Sequence, residues 1–592
     1  MVQYQIKDKR LKITTVRRIS QIFFLVLFLW LCVVMTVGTE WFRLRGWPVN
    51  WFLQLDPLVA IGTALSTGTI YRGLIWALPV IILTIIFGRF FCGWLCPFGT
   101  MHQFFGWLGS RNKSMKEKIL RNRYRKSQRL KYLFLVVFLL MAALPWAFAR
   151  SLQTGLLDPI PFVYRSINEA VLPVLDRPFN IIDVSPRHYE WGWLIGGLFI
   201  TMLLLNLVIP RFYCRFICPL GALLGILSRY SIFRIGKTKK ECIDCGLCNQ
   251  ACEGACNPAG KIRIPECVLC MNCLHVCPET IITYDTSISA AGEYREPDPS
   301  RREFIGAAVI GILAVPLLRI GGKVGENWYH KVIRPPGSLN EEEFLKRCIK
   351  CGQCMRVCPT NIIVPGGPEG GIESIMTPVL NFRSGTSGCQ LNCTACGYIC
   401  PTSAIRPISL SEKLGLNEFA DQGPIKLGTA FVDRGRCLPW AMKKPCIVCQ
   451  ENCPVTPKAI YIDEIYETVR DGKFDVLRAE DNVVYLQGAT MQPGQYATGD
   501  YFLESGDQKR RITDNAFDMV QLDITEFGPM DLKKGGAARI TVLLQRPRID
   551  IKRCIGCGTC EHECPVSGKR AIRVSAENET RSQERSLLLR GQ

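Results

Sequence analysis

A chain of 592 residues has room for three or four domains, and its 30 cysteines are far too many for an ordinary enzyme. Their placement excludes a disulfide framework and zinc ribbons. Nearly all fall in runs with three C-x2 or C-x3 steps, usually closed by Pro, where neighbouring thiols pair poorly with one another and well with a shared iron–sulfur cluster. The formal net charge of +21 does not indicate a nucleic-acid partner, because the basic residues gather beside apolar segments, as topology signals do.

Four apolar segments are long enough to cross a bilayer: Ile19–Gly38, Gly73–Cys92, Tyr132–Phe148 and Trp191–Pro210. A fifth, Phe304–Ile320, is at the lower limit. The first has no small-residue cleavage site of a signal peptide. Lys7, Lys9, Arg10, Lys12, Arg17 and Arg18 lie at its start, ten Lys/Arg fall between Arg111 and Lys131, and Arg234, Lys237, Lys239 and Lys240 follow the fourth segment. Positive charge on the inside places the N-terminus, the 93–131 loop and residues 211–303 in the cytoplasm of a multi-pass protein of the bacterial inner membrane. The outer loops, 39–72 and 149–190, are rich in aromatic residues, and the first is predicted to hold a short interfacial helix near Leu55–Ser66.

The second and fourth segments end in the same eleven-residue pattern. Arg89-Phe-Phe-Cys92-Gly-Trp-Leu-Cys96-Pro97-Phe-Gly99 matches Arg211-Phe-Tyr-Cys214-Arg-Phe-Ile-Cys218-Pro219-Leu-Gly221. This is an internal duplication of a helical hairpin, in the same orientation. On a helix, Cys at i and i+4 share a face and the following Pro ends the helix. Cys92, Cys96, Cys214 and Cys218 are therefore expected side by side at the cytoplasmic boundary, with Arg89 and Arg211 favouring their thiolates. Such a set could hold a cluster, bind copper or form redox-active disulfides. Cys32, alone in the first segment, reads as packing.

A two-cluster ferredoxin follows. In such domains the fourth Cys of each run serves the other cluster. Cys242, Cys245, Cys248 and Cys277 then hold one [4Fe–4S] cluster. Cys267, Cys270 and Cys273 hold the second, with Cys252 narrowly preferred over Cys256 as its last ligand. Next, Ser300-Arg301-Arg302-Glu303-Phe304-Ile305 resembles a twin-arginine export signal, which the twin-arginine translocase would read to move a folded, metal-loaded domain. The fifth segment is expected to stay as an anchor, leaving residues 333–592 in the periplasm. There lie four more runs: Cys348, Cys351, Cys354, Cys358; Cys389, Cys393, Cys396, Cys400; Cys437, Cys446, Cys449, Cys453; and Cys554, Cys557, Cys560, Cys564. A Pro follows the last Cys of each, and residues 461–550 interrupt them with alternating segments that read as a strand-rich insertion.

The expected fold is thus a membrane protein in four parts. These are a four-helix transmembrane domain of duplicated hairpins (1–235), an α+β two-cluster ferredoxin domain (236–299), a signal and fifth transmembrane helix (300–332), and an α+β four-cluster domain (333–592). Six [4Fe–4S] clusters are expected, two cytoplasmic and four exported, with a further metal an option at the C-x3-C-P thiols.

On these motifs, residues 1 to about 290 resemble NapH, the membrane polyferredoxin of periplasmic nitrate reductase systems, and residues 300–592 resemble its exported four-cluster partner NapG. Arg334-Pro-Pro-Gly337 ahead of Cys348 and the long Cys437-to-Cys446 step belong to the second resemblance. MauN, MauM and the NosR-type proteins are similar, although no motif here matches the flavin-bearing domain of NosR. The resemblance implies electron transfer between the quinone pool and a periplasmic cytochrome or terminal reductase, as in a quinol dehydrogenase. It also implies that outer runs pair with each other and inner runs likewise: Cys564 completes the first exported cluster and Cys358 the last, while Cys453 and Cys400 exchange between the middle two.

There is no C-x-x-C-H haem site, and His102, His188, His275, His330 and His562 all lie away from the middle of a span. Nothing in the sequence carries electrons through the bilayer, so a diffusible quinone is the expected bridge. Two alternatives are transfer from a cytoplasmic ferredoxin through Cys242–Cys277 into quinone, and copper handling by the C-x3-C-P thiols.

Overall fold

The computed structural model describes residues 13–35, 49–143, 152–178, 186–297, 299–323 and 332–582. The basic residues Lys7 to Lys12 and His330 lie outside them. The chain divides into two compact units, residues 1–381 with 393–418, and residues 382–392 with 419–592.

In the first unit, α1 (Ile13–Val34) is the one helix among the described residues long and apolar enough to cross a membrane; Cys32 is packed on its buried side. The other apolar helices are shorter. α2 (Pro57–Thr67) is the short helix expected near Leu55–Ser66, begun by Pro57 at its first position and capped by Asp56, whose carboxylate accepts from the Leu58 N–H at 2.9 Å. The expected span Gly73–Cys92 is divided: α3 (Ala77–Phe87) stops at Gly88, whose φ of 86° turns the chain, and α4 (Phe90–Trp94) is a separate short helix followed by α5 (Pro97–Ser110). α6 (Leu130–Ala143) opens the second half, and α7 (Pro159–Ser166) lies in the loop after it. α8 (Gly192–Leu204), α9 (Phe212–Phe216) and α10 (Pro219–Ser228) repeat α3, α4 and α5, with Arg211 at φ 52° making the break. The repeat extends into the loops, because Leu157-Asp158-Pro159 echoes Leu55-Asp56-Pro57. The carboxyls of Asp56 and Asp158 are both wholly buried and meet each other. Burial raises Asp56 to about 6, and burial together with the neighbouring Asp56 charge raises Asp158 further.

The ferredoxin segment is closed by β1 (Arg234–Lys237), paired antiparallel with β2 (Ile282–Asp285) over a core of Ile235, Ile262, Ile264, Ile281 and Ile282. α11 (Arg301–Lys323) contains the expected fifth span. It begins in a capping box, with the Ser300 N–H donating to Glu303 and the Glu303 N–H to Ser300. It packs on α6 where Gly311 lacks a side chain; a Cβ there would stand 3.3 Å from the Val137 Cα.

In the second unit, β3 (Thr429–Val432) pairs antiparallel with β10 (Ile572–Ser575). The insertion between the third and fourth cysteine runs is a closed barrel of β4 (Ile460–Glu480), β5 (Val483–Gln487), β6 (Tyr501–Ser505), β7 (Gln508–Asn515), β8 (Met519–Leu522) and β9 (Ala537–Ile549), in the order β6-β7-β8-β5-β4-β9. Alternation builds it: Ala538, Ile540, Val542 and Leu544 of β9 are buried while Ala537 and Arg539 are exposed. The β4–β9 ribbon runs from the barrel back to the cysteines, with Ile460 opposite Ile549 and Ala459 and Ile460 in the same core as Cys554 and Cys560.

Candidate functional site

Four of the cysteine runs share one backbone. In each C-x2-C-x2-C stretch, the residue before the second Cys and the residue after it have positive φ: Asp244 and Gly246, Leu269 and Met271, Lys350 and Gly352, Gly556 and Gly558. Left-handed backbone costs a residue with a side chain about 1 kcal/mol or more, so Asp244, Leu269, Met271 and Lys350 are held there against their preference. Such alternation turns successive N–H groups inward and forms a concavity for an anion, as a thiolate-ligated cluster is. Gly352 has a second reason to lack a side chain: a Cβ would meet the Glu169 Oε1 at 2.2 Å.

The thiols gather into sets, and all 30 cysteines are free of disulfides. Cys242, Cys245, Cys248 and Cys277 line a cavity of about 200 Å³, the set expected from the sequence. Cys267, Cys270 and Cys273 surround Cys252, whose charge acts on all three. Cys256 stands beside it, its Sγ 3.2 Å from that of Cys252 and in contact with Cys267, so five thiols share this place. Cys348, Cys351 and Cys354 line a cavity of about 20 Å³ with Cys400. In the second unit, Cys437, Cys446 and Cys449 line another of about 20 Å³ with Cys564, while Cys453 faces Cys554, Cys557 and Cys560. In that unit too, the Cys389 N–H donates to the Cys557 carbonyl at 2.7 Å.

This arrangement corrects the outer-with-outer pairing. The Cys348 run takes its fourth thiol from the Cys389 run, and the Cys437 run exchanges with the Cys554 run. Pairing is between neighbours in sequence, and the last two runs share one short hydrophobic core with Ala430, Ile460, Ala571 and Ile572.

The C-x3-C-P thiols also converge: Cys92, Cys96 and Cys214 all act electrostatically on Cys218. The expectation that Cys92 and Cys96 lie on one helix is corrected. Cys96 and Cys218 have non-helical backbone and cap α5 and α10, their Sγ atoms accepting from the Gly99 and Gly221 N–H at 3.3 and 3.1 Å. Pro97 and Pro219 open those helices, since proline's missing N–H and fixed φ suit the first helical position. Burial raises both thiols well above the ordinary range, and the helix N-termini act against it. The arginines cross between repeats: Arg211 Nη1 donates to the Cys92 carbonyl at 3.3 Å, while Arg89 Nη2 lies where a Cβ on Gly221 would be 2.9 Å away. Arg89 also donates to the Pro265 carbonyl at 2.7 Å, and Trp94 Nε1 to the Leu269 carbonyl at 3.2 Å. Gly93 leaves room for the Val268 carbonyl, which a Cβ would meet at 2.2 Å. The ferredoxin loop is therefore seated directly on the C-x3-C-P ends.

The other side of the same thiols is joined to the Cys348 run, which the sequence did not reveal. Tyr213, in the Phe/Tyr position of the duplicated motif, is buried beside Cys214 and Cys218 and donates its hydroxyl to the Leu157 carbonyl. Its ring stacks on Phe162 at 5.9 Å and 12°. The Arg165 guanidinium lies 5.7 Å from the Phe162 ring and donates to the Lys350 carbonyl at 2.8 Å, between Cys348 and Cys351. Arg187 donates to the Arg356 and Cys358 carbonyls at 2.7 and 3.1 Å. This packing joins the C-x3-C-P thiols to the Cys348 run within the first unit. Tyr213 carried a signal in its motif; Phe162 and Arg165 carried none.

The comparisons with known proteins agree with this grouping. A family described as a 4Fe-4S binding domain matches residues 69–116 and again 191–240, the two halves that hold Cys92 with Cys96 and Cys214 with Cys218. A family described as a 4Fe-4S dicluster domain matches residues 347–404, the Cys348 and Cys389 runs together. Among similar proteins, YccM of Escherichia coli strain K12 is 27% identical over 299 residues, 47% of this chain and 78% of that protein. The methylamine utilization ferredoxin-type protein MauN of Methylorubrum extorquens is 28% identical over 207 residues, 33% of this chain and 59% of that protein. The ferredoxin-type protein NapG of Escherichia coli strain K12 is 29% identical over 143 residues, 24% of this chain and 55% of that protein. No solved structure matches the chain. The chain carries 4Fe–4S ferredoxin domains, and its similarity extends to ferredoxin-type proteins.

Proposed function

We propose that this chain is a membrane-bound electron-transfer protein that oxidises quinol and delivers the electrons to a periplasmic cytochrome or reductase. The observation that carries this reading is the unbroken row of thiol sets in the first unit, from Cys242–Cys277 through the C-x3-C-P site and Tyr213, Phe162 and Arg165 to Cys348–Cys400. When bound, [4Fe–4S] clusters at these thiols supply one-electron storage and transfer. The ligands are the 24 Cys of the ferredoxin and exported runs, and Cys92, Cys96, Cys214 and Cys218 offer a seventh site.

The protein's own residues set the order of the sites. Gly93 and Trp94 bring the ferredoxin loop against one side of the C-x3-C-P thiols, and Arg165 brings the first exported run to the other. Several loop contacts support the multi-pass topology read from charge, while Tyr213, read as inside, bonds Leu157, read as outside. Loop residues assigned outside, such as Asn50, Gln153 and Arg165, contact the run 348–400; those assigned inside, such as Gln103 and Asn122, contact 250–253. In this reading α3, α6, α8 and α11 join α1 in the bilayer, and the exposed Arg301 and Arg302 serve as the export signal. Oxidation of one quinol breaks two O–H bonds, frees two protons to water and sends two electrons singly toward the periplasmic oxidant.

The test is anaerobic reduction of the membrane-embedded protein by a menaquinol analogue, read by low-temperature EPR with iron counted per chain. Six clusters require about twenty-four irons, and a seventh at the C-x3-C-P thiols about twenty-eight. Reduced cluster signals with quinol are expected. Failure with quinol and success with a reduced soluble ferredoxin would reverse the direction, with electrons entering at the half-buried Cys242 and Cys245.

A further inference from the structure

In the second unit the thiol sets follow one another. The Cys389 N–H donates to the Cys557 carbonyl at 2.7 Å, and Cys449 acts on Cys560. The order is thus Cys389, the Cys554 set and the Cys437 set. The last of these lies near the surface: Cys446 and Cys449 are half-buried, and Pro565, beside Cys564, is exposed. The long step from Cys437 to Cys446 places eight residues, Leu438 to Pro445, where the other runs place two or three. They build a helical turn, Leu438–Met442, closed by Lys443 at φ 49°, with Met442 56% exposed.

This end is basic. From Asp433 to Lys458 and from Glu563 to Arg573 there are eight Lys/Arg and three Asp/Glu, whereas the barrel stretch 461–548 holds eleven and fifteen. Packing joins the two basic stretches: Arg436 Nε donates to the Lys569 carbonyl at 2.7 Å and its Nη2 to the Ser567 carbonyl at 3.2 Å, while the Arg434 guanidinium stands 4.4 Å from the Trp440 ring. Several acids are already matched. Asp433 pairs with Arg573 at 3.3 Å, Glu467 of β4 takes Lys443 and Arg546, and Asp463 takes Arg548. Glu451 and Glu563 are the other acids of the two stretches. Arg434, Lys444 and Lys569 are exposed and have no carboxylate within ion-pair distance among the described residues. Exposed apolar surface at Met442 and Pro565 beside these charges has the make-up of a transient protein interface.

We propose that this face docks a soluble one-electron carrier protein whose own redox centre is ringed by acidic side chains. It rests on the electron-transfer reading above and names the chemistry of the partner that takes the electrons. Opposite charge steers such a carrier onto Arg434, Lys444 and Lys569, next to the last thiol set. With clusters bound, one electron leaves for the oxidised metal of the carrier, whose charge falls by one, and no bond or proton is exchanged. Attraction through a few exposed charges gives a fast, short-lived complex, which suits a carrier that must leave after each electron.

The test uses the full iron-loaded chain in nanodiscs of neutral lipid, reduced with dithionite. The probe is one cytochrome c in two forms, native with a basic haem edge and succinylated so that those lysines become acidic. Stopped-flow oxidation is expected to be about tenfold faster with the succinylated form and to slow about tenfold between about 20 and 200 mM salt. Carbodiimide, which joins lysines to carboxylates in contact, should link the oxidised succinylated form to Lys443, Lys444 or Lys569. Lys444→Glu with Lys569→Glu should lower both that rate and the cross-linking roughly tenfold at unchanged iron per chain. Lys533→Glu with Lys534→Glu, an equal change of net charge at exposed barrel positions, should leave both as they are. Equal rates for the two cytochromes, cross-links confined to the barrel, an equal loss in the Lys533/Lys534 variant, or binding of phosphatidylglycerol vesicles here with no preference between the cytochromes would overturn the docking site. Charge preference without reduction by quinol keeps the site and drops quinol oxidation; reduction by quinol without charge preference does the reverse.

Discussion

Buried side chains in this molecule show where local preference gives way to position. Leu269, Met271 and Lys350 accept left-handed backbone because the N–H groups on either side then face a thiol set. Asp56 and Asp158 are buried together at the starts of two related helices, and a proton must be kept between them. The sign of the resulting pH dependence follows from the raised values. The native state binds more protons than the unfolded chain from about pH 4 upward, so stability falls as pH rises through about 6, the value at Asp56, and above. Asp158→Asn, which cannot ionise, is expected to flatten this fall and to melt higher than the parent at pH 8. Thermal scans of both proteins between pH 5 and 8 check it, and parallel curves would refute it.

At the level of elements, paired runs behave as one unit. Cys400 faces Cys351, so Cys351→Ala and Cys400→Ala should each remove about four irons, and the double variant no more than either. A loss of about eight in the double variant would restore the outer-with-outer pairing. The same additivity test with Cys437 and Cys564 addresses the last two runs. The barrel is a separate element with its own core of Val484, Leu503, Ile512, Val520 and Ile540. Ile540→Ala leaves a cavity there and should cost about 2–5 kcal/mol. Proteolysis is expected to open residues 461–548 first, with iron per chain unchanged, because no cysteine lies within the barrel.

For the whole molecule the proposed function turns on the side of a membrane that each part would occupy. Ser300 and Glu303 cap α11 while Arg301 and Arg302 remain exposed, open to a translocase. Changing both arginines to lysine keeps the charge and removes the paired guanidinium groups a receptor reads. The expected outcome is that residues 333–592 stay inside, protected from protease added to spheroplasts. Unchanged digestion would show that export does not depend on this pair.

The cysteine chemistry was legible in the sequence because ligand spacing is local: a C-x2-C-x2-C loop must fold around its metal whatever surrounds it. The duplicated C-x3-C-P pattern, the short helix at Pro57–Thr67 and the strand-rich insertion were legible for the same reason, each being a short-range pattern of apolar residues and turn formers. What the tertiary structure alone decided is long-range. Which run lends its fourth thiol to which depends on shared cores such as Ala430 with Ile572. That Pro97 and Pro219 begin helices as well as end them depends on Gly99 and Gly221 meeting the thiols. The meeting of Arg436 with Lys569, and the bridge from Tyr213 to Lys350, join residues tens to hundreds of positions apart, and no periodicity records such meetings. Spacing determines what chemistry a loop can hold; packing determines what that loop stands next to.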